Sequence, residues 1–303
     1  MMRSMLFSMP GNEALTASLS ARGGWALGAL EVRRFPDEES YVRLMSDVKG
    51  KSAAIICTLA RPDAQLLPLL FACRLLREGG ARSIELVAPY LAYMRQDQRF
   101  HVGEALTSRH FADLLSQAFD GLITVDPHLH RYRSLSDVYT IDAVSLSASP
   151  FLADWIGTNI ERPLVIGPDS ESEQWAGAIA AACAAPHVVF SKSRRGDRDV
   201  RVEATNLNAW RGHNPVLVDD VISSGETLAD AARAILAQGF APPVCIAVHG
   251  VFASGAEQAL HGLGCRVVTT NAIAHGSNAI DLTPLLCGAL GARLGAERPC
   301  PTT

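Results

Sequence analysis

The stretch Val216-Leu-Val-Asp-Asp-Val-Ile-Ser-Ser-Gly-Glu-Thr-Leu228 decides how this chain is read. The apolar run from Pro215 to Val218 has the composition of a buried strand. Two carboxylates follow it, then a turn of small residues, then a helix reaching Gln238. Ser223, Ser224, Gly225 and Thr227 set hydroxyls and backbone N–H groups at the start of that helix. A helix N-terminus carries partial positive charge and unpaired donors, which suits a phosphate. Asp219 and Asp220 are placed to hold sugar hydroxyls or a metal ion. Hydroxyl residues at a helix start also serve as N-caps, but capping gives no role to adjacent aspartates at the end of an apolar strand. The combination points to a sugar phosphate.

Outward from this stretch, short apolar runs alternate with helix-like segments. The expected strands are 53–59, 84–88, 122–126, 164–166, 188–190, 216–218, 244–248 and 266–269. The expected helices are 63–78, 104–118, 172–184, 226–238 and 255–261, and 198–203 reads as one arm of a hairpin. Continuous apolar strands alternating with helices mean a parallel sheet and α/β architecture. The chain reads as two similar halves, 1–147 and 148–303, although the last helix could return to the first half. In such sheets ligands sit beyond the carboxyl ends of the strands, where Asp126, Asp169 and Asp219 fall.

The 303 residues suit two domains, and 48% hydrophobic content is ample for two cores. A net charge of −4 gives no basic field for nucleic acid. No apolar run has the length of a membrane span, and residues 1–10 lack the apolar stretch of a signal peptide. Seven cysteines without a C-x-x-C pair fit reduced, buried thiols, so a cytoplasmic location is expected. Gly50-Lys51-Ser52 resembles the end of a P-loop, but Met45 stands where that motif needs glycine.

Further segments carry chemistry. Phe35, Asp37 and Glu39, in Arg34-Phe-Pro-Asp-Glu-Glu-Ser-Tyr41, offer an aromatic face and acceptors to a purine. Pro89-Tyr-Leu-Ala-Tyr-Met-Arg-Gln-Asp97 follows a strand; Arg95 presents a planar fork for phosphate or base stacking, and Gln96 can read a base edge. His128, in Val125-Asp-Pro-His-Leu-His130, follows a buried strand and suits a divalent metal or phosphate. His-x-His can bind zinc, but no third ligand is near in sequence, and phosphate chemistry favours Mg²⁺ with few protein ligands. Gly167-Pro-Asp-Ser-Glu-Ser172 adds an acidic strand end. Phe190-Ser-Lys-Ser-Arg-Arg-Gly-Asp-Arg-Asp199 gathers Lys192, Arg194, Arg195 and Arg198 into one cationic loop, and Lys192 is one of only three lysines in the chain.

Taken in order, these motifs resemble the ribose-phosphate pyrophosphokinases over most of the chain, from Gly11-Asn12 to about Thr270, with Arg99-Phe-His-Val-Gly-Glu-Ala-Leu106 closer to the archaeal-type members. Phosphoribosyltransferases share only the 219–227 loop. The resemblance implies two phosphoribosyltransferase-like α/β domains, each a mainly parallel sheet flanked by helices. It implies MgATP and ribose 5-phosphate as substrates and a homo-oligomer with its ATP site at a subunit interface. By the same resemblance Arg95, Gln96 and Asp97 lie at the ATP site, and Phe35, Asp37 and Glu39 reach the adenine of a neighbouring subunit. His128 and Asp169 are implied as Mg²⁺ ligands, and Lys192 and Arg194 as catalytic cations. Asp219 and Asp220 are implied for the ribose hydroxyls, and Ser223, Ser224, Gly225, Glu226 and Thr227 for the 5-phosphate. The chain departs from the family pattern at Glu38 and Glu226, where glycine is usual, at Ser223, where many members have Asp, and at Ser170-Glu171-Ser172. A non-catalytic homologue of the family is the alternative that these departures raise.

Overall fold

Strands that are apolar on both faces need cover on both sides, and this chain supplies it with alternating helices. The computed structural model describes residues 4–194, 200–203 and 205–295, with backbone alone for 192–194 and 200–203. The elements are β1 (Met5–Ser8), α1 (Glu13–Gly23), β2 (Ala26–Leu27), β3 (Leu30–Arg34), β4 (Ser40–Leu44), β5 (Ser52–Ile56), α2 (Pro62–Glu78), β6 (Ser83–Ala88), α3 (Thr107–Ala118), β7 (Gly121–Val125) and β8 (Asp142–Leu146). There follow α4 (Ser149–Asn159), β9 (Pro163–Gly167), α5 (Glu173–Ala182), β10 (His187–Val189), β11 (Ser191–Arg194), β12 (Val200–Glu203), β13 (Asn214–Ile222), α6 (Glu226–Ala237), β14 (Val244–Gly250), α7 (Ala256–Gly262), β15 (Arg266–Thr270), β16 (Asn278–Ile280) and α8 (Thr283–Leu294).

The chain divides into two units, Met1–Leu146 with Leu282–Thr303, and Ser147–Asp281. The first holds a six-stranded sheet in the order β2-β1-β5-β6-β7-β8, the second one in the order β10-β9-β13-β14-β15-β16. Every pairing within these two sheets is parallel. In each unit an antiparallel hairpin, β3–β4 or β11–β12, is inserted before the strand that returns to the middle of the sheet. The α/β class and the two similar halves are therefore as the sequence reads.

The core of the first unit is built on β5 and β7, which are buried along their whole length, together with Phe7, Leu69, Leu76 and Phe111. Burying side chains of this size contributes about 1.5–3 kcal/mol each. Leu164, Ile166, Leu217, Leu228, Ile235 and Cys245 fill the corresponding core of the second unit. Cys57, Cys73, Cys183, Cys245 and Cys265 are free thiols, while Cys287 is disulfide-bonded, unlike the reduced set expected.

One difference from the sequence reading bears on the site, and one alternative that it left open is decided. The strand before the acidic pair does not stop at Val218; β13 pairs with β14 through Asp219 and on to Ile222, opposite Gly250. The last helix, α8, belongs with the first unit. Arg293 makes a 2.8 Å ion pair with Glu85, both nearly buried, and also reaches Asp142. Ser4 and Trp25 donate to the carbonyls of Leu294 and Gly295.

Candidate active site

In the second unit the site begins where β13 leaves the sheet between β9 and β14. Asp219 and Asp220 are part-buried there, and Asp219 Oδ1 accepts the Asp220 backbone N–H at 2.9 Å. Burial pushes the Asp219 carboxyl well above the usual carboxylate range, and the nearby Asp220 and Asp169 push it further. Asp169 follows β9, the neighbouring strand; its Oδ1 accepts the Glu171 N–H at 3.2 Å, and the Ser172 hydroxyl donates to its carbonyl at 2.5 Å. Ser170, Glu171 and Ser172 thus form a 3-10 turn with a capping box that fixes Asp169. The structure brings Asp169, Asp219 and Asp220 together as one acidic cluster.

Beyond Ile222 the chain turns through Ser223 and Ser224 into Gly225, whose φ of +74° is left-handed. A side chain there would be strained. Gly225 is the N-cap of α6, and no side chain caps the helix; Ser224 Oγ lies 3.5 Å from the Glu226 nitrogen. The Ser224 hydroxyl thus makes one long contact at the helix start, and the glycine N-cap brings no side chain of its own to the first-turn donors. The first intrahelical bond runs from the Ala229 N–H to the Gly225 carbonyl at 2.8 Å. The N-terminal donors and the dipole of a 12-residue helix thus face the turn. Glu226 is exposed. Lys192 and Arg194 lie on β11, paired with Val202 and Val200 of β12; Arg195 and Arg198 fall outside the described residues.

In the first unit Phe35, Asp37 and Glu39 form the tip of the β3–β4 hairpin. The Phe35 N–H donates to the Glu39 carbonyl at 2.8 Å, and Asp37 Oδ1 accepts the Glu39 N–H at 3.2 Å. Glu38 has φ +71°, which explains why glycine is usual there in the family that the sequence resembles. Arg33 places its guanidinium 4.7 Å from the Phe35 ring and 4.1 Å from Tyr41, holding Phe35 39% exposed.

Arg95, Gln96 and Asp97 follow β6. Tyr93 anchors this loop with φ +63° and a hydrogen bond from its hydroxyl to Asp63, which pushes its own pKa up to about 12. Arg95 is exposed, and Gln96 Oε1 accepts the Thr107 hydroxyl at 2.6 Å. Asp97 faces inward: its side chain is 1% exposed, and Oδ1 accepts Arg131 Nη1 at 2.7 Å. The sequence reading missed Arg131; its only signal there is a cation shortly after a strand end. The pair joins the loop after β6 to the loop after the adjacent β7, which carries His128. His128 Nδ1 lies 3.1 Å from His130 Nε2. Among the described residues, no hydrogen bond or ion pair connects Phe35, Asp37 or Glu39 with Arg95, Gln96 or Asp97.

Imidazole nitrogens and carboxylate oxygens are sound ligands for a divalent cation. Three clustered carboxylates, one with its pKa pushed up by burial and by its acidic neighbours, form a charge pattern that such a cation relieves. Each set by itself, the imidazoles of the first unit and the carboxylates of the second, is thus compatible with a divalent metal.

Comparison with known proteins agrees with this geometry. Residues 4–118 match the model for the N-terminal domain of ribose phosphate pyrophosphokinase, and 136–279 match the phosphoribosyl transferase domain. A ribose-phosphate pyrophosphokinase from the archaeon Methanosarcina acetivorans is 30% identical over 280 residues, covering 90% of this chain and 95% of that protein. One from Saccharolobus solfataricus is 32% identical over 251 residues, covering 80% and 84%. The crystal structure of phosphoribosylpyrophosphate synthetase from Mycobacterium smegmatis superposes with a TM-score of 0.84 at 26% identity, covering 96% of this chain and 98% of that one. With both halves matched in order and archaeal relatives aligned nearly end to end, the chain belongs to the ribose-phosphate pyrophosphokinase family.

Proposed function

We propose that the protein transfers the β,γ-diphosphoryl group of MgATP to the 1-hydroxyl of ribose 5-phosphate, giving phosphoribosyl pyrophosphate and AMP. The observation that carries this reading is the end of β13, where two aspartates precede a turn with a left-handed glycine as the N-cap of α6. The sugar oxygen bonds to the β-phosphorus as the bond from that phosphorus to the α,β-bridging oxygen breaks, and the hydroxyl proton leaves to solvent. Such transfer depends on positioning and charge stabilisation more than on covalent help.

Asp219 and Asp220 accept hydrogen bonds from the ribose hydroxyls. Ser223, Ser224, Gly225, Glu226 and Thr227 hold the 5-phosphate through hydroxyls and backbone N–H groups. Glu226 takes part through its backbone, since its exposed side chain carries the wrong charge. Lys192 and Arg194 neutralise the charge that builds on the transferred group. Arg95 and Gln96 bind ATP, and Asp97 serves the same site through Arg131. Phe35, Asp37 and Glu39 complete the adenine site of a neighbouring subunit, which makes the protein a homo-oligomer; the exposed Phe35 ring at the hairpin tip supports this. His128 and Asp169 are the proposed Mg²⁺ ligands, and the bound ion would withdraw charge from the phosphate oxygens. No described helix is long and apolar enough to cross a membrane, and the proposed place of action is the cytoplasm.

The test is to incubate purified protein with MgATP and ribose 5-phosphate. AMP is expected only when the sugar is present. AMP formation independent of the sugar, or none at all, contradicts the proposal. The shared adenine site has its own test, in mixed oligomers of a Phe35→Ala and a Lys192→Ala subunit. Activity should recover in the mixture; no recovery despite proven mixing would place the adenine site within one chain.

A further inference from the structure

The segment after β7 carries two imidazoles where the reading above uses one. His128 Nδ1 and His130 Nε2 are 3.1 Å apart, with ring centroids 3.8 Å apart and planes tilted by 55°. Two imidazole nitrogens bound at a right angle to one six-coordinate ion at about 2.1 Å are separated by about 3.0 Å. The observed spacing is that of a chelating pair.

The backbone around the pair is held from both sides. Asp126, which leads into it, adopts φ +35° and gives its N–H to the Leu146 carbonyl at 2.9 Å. The two residues after His130 are each tied to a neighbouring element. Arg131 is bound to the buried Asp97 at 2.7 Å, and the Tyr132 hydroxyl lies 3.0 Å from Ser108 Oγ. A short segment fixed at both ends presents its rings with little freedom to lose on binding an ion.

We infer that His130 is a second ring-nitrogen ligand beside His128, and that the pair strengthens binding of Mn²⁺ and Co²⁺ more than that of Mg²⁺. The inference rests on the reading that His128 holds the cation. The selectivity follows from ligand chemistry. Mg²⁺ prefers oxygen and gives up its waters reluctantly, so a second imidazole adds little for it. Later first-row ions bind imidazole progressively better. One imidazole is compatible with Mg²⁺; two at chelating distance favour Mn²⁺ and Co²⁺. The same 3.1 Å also fits a hydrogen bond between the rings, and the two arrangements differ in what a bound ion would report.

The test uses tag-free, full-length protein with Mn²⁺ alone as the probe. Pulsed electron paramagnetic resonance of bound Mn²⁺ should show two directly coordinated ¹⁴N nuclei in the wild type and one in His130→Ala and in His130→Asn. Titration should show Mn²⁺ affinity falling at least about tenfold in both variants, with Mg²⁺ affinity changed by less than about twofold. His110→Ala, an exposed histidine on α3, controls for adventitious binding and should match the wild type. One coordinated nitrogen in the wild type, or an unchanged Mn²⁺ affinity in both His130 variants, overturns the inference. Two nitrogens in a protein that forms no AMP from MgATP and ribose 5-phosphate would leave the metal assignment standing and defeat the proposed reaction. AMP formation with a single coordinated nitrogen would defeat only the second ligand.

Discussion

The two halves of the chain have the same strand order, with a hairpin inserted at the same point, yet the equivalent strand end differs between them. In the first half β5 ends at Ile56 and is followed by Cys57 and Thr58, all buried, and burial pushes the Cys57 thiol up to about 12. The following helix, α2, starts with Pro62 rather than after a glycine turn. In the second half β13 carries Asp219 and Asp220 shortly before its end at Ile222 and feeds Gly225 and α6. One end is a packed corner and the other an acidic rim facing a helix N-terminus. The hairpins differ too: the first presents Phe35 with acidic neighbours, the second carries Lys192 and Arg194. One scaffold, used twice, thus carries different side chains at equivalent strand ends and hairpins without a change of topology.

The largest effect should come from the hairpin of the second half. Lys192→Ala should lower kcat by at least about a hundredfold with little change in ATP affinity, because the contact forms mainly in the transition state. Steady-state kinetics beside equilibrium ATP binding would check this. Normal turnover would break the contrast between the two hairpins.

The acidic rim comes next. Asp219→Asn should raise the KM for ribose 5-phosphate at least about tenfold, in line with a lost charge-assisted contact, while raising the thermal midpoint. The folded pKa of Asp219 lies above its unfolded value, so the stability linked to this group is complete below the unfolded value and is lost as pH rises through the folded one. The Asn variant should gain little over wild type near pH 4 and increasingly more as pH rises. Melting curves across pH would show this, and a variant less stable than wild type at neutral pH would refute it.

The first half should respond through stability. Arg131→Ala leaves the buried Asp97 carboxylate unpaired and should destabilise more than Asp97→Asn, which removes the charge itself. Urea unfolding should put Asp97→Asn at about 1–3 kcal/mol, with Arg131→Ala above it. The reverse order would mean that Asp97 does not hold Arg131. The smallest effect is at the hairpin tip, where Glu38→Gly should stabilise by about 1 kcal/mol or less by relieving a left-handed non-glycine residue. No gain there would mean that Glu38 makes a compensating contact.

Much of this comparison can be read from the sequence, because long apolar strands announce themselves. Residues 53–59, 84–88 and 244–248 fall on β5, β6 and β14. β1 is four residues long and β16 three, too short for periodicity to show. The β3–β4 hairpin reads as an acidic turn because charges interrupt its alternation. Asp219 and Asp220 look like the end of a strand, yet backbone pairing with β14 carries the strand past them. Lone motifs identify Asp169, Asp219 and His128, but only the fold brings Asp169 beside Asp219, turns Asp97 inward onto Arg131 and sets His130 against His128. The attachment of α8 to the first half depends on the distant pair Arg293 and Glu85, which no local pattern reveals.

The central claim is that a diphosphoryl group moves as a unit onto a sugar held by the second half. It is tested most directly with ATP labelled at the β-phosphorus, ribose 5-phosphate and Mg²⁺, followed by ³¹P spectroscopy or chromatography of the products. The label is expected in a sugar 1-diphosphate, with one AMP released per label transferred. Label retained in ADP, with only the γ-phosphoryl group moved to sugar or water, would contradict it.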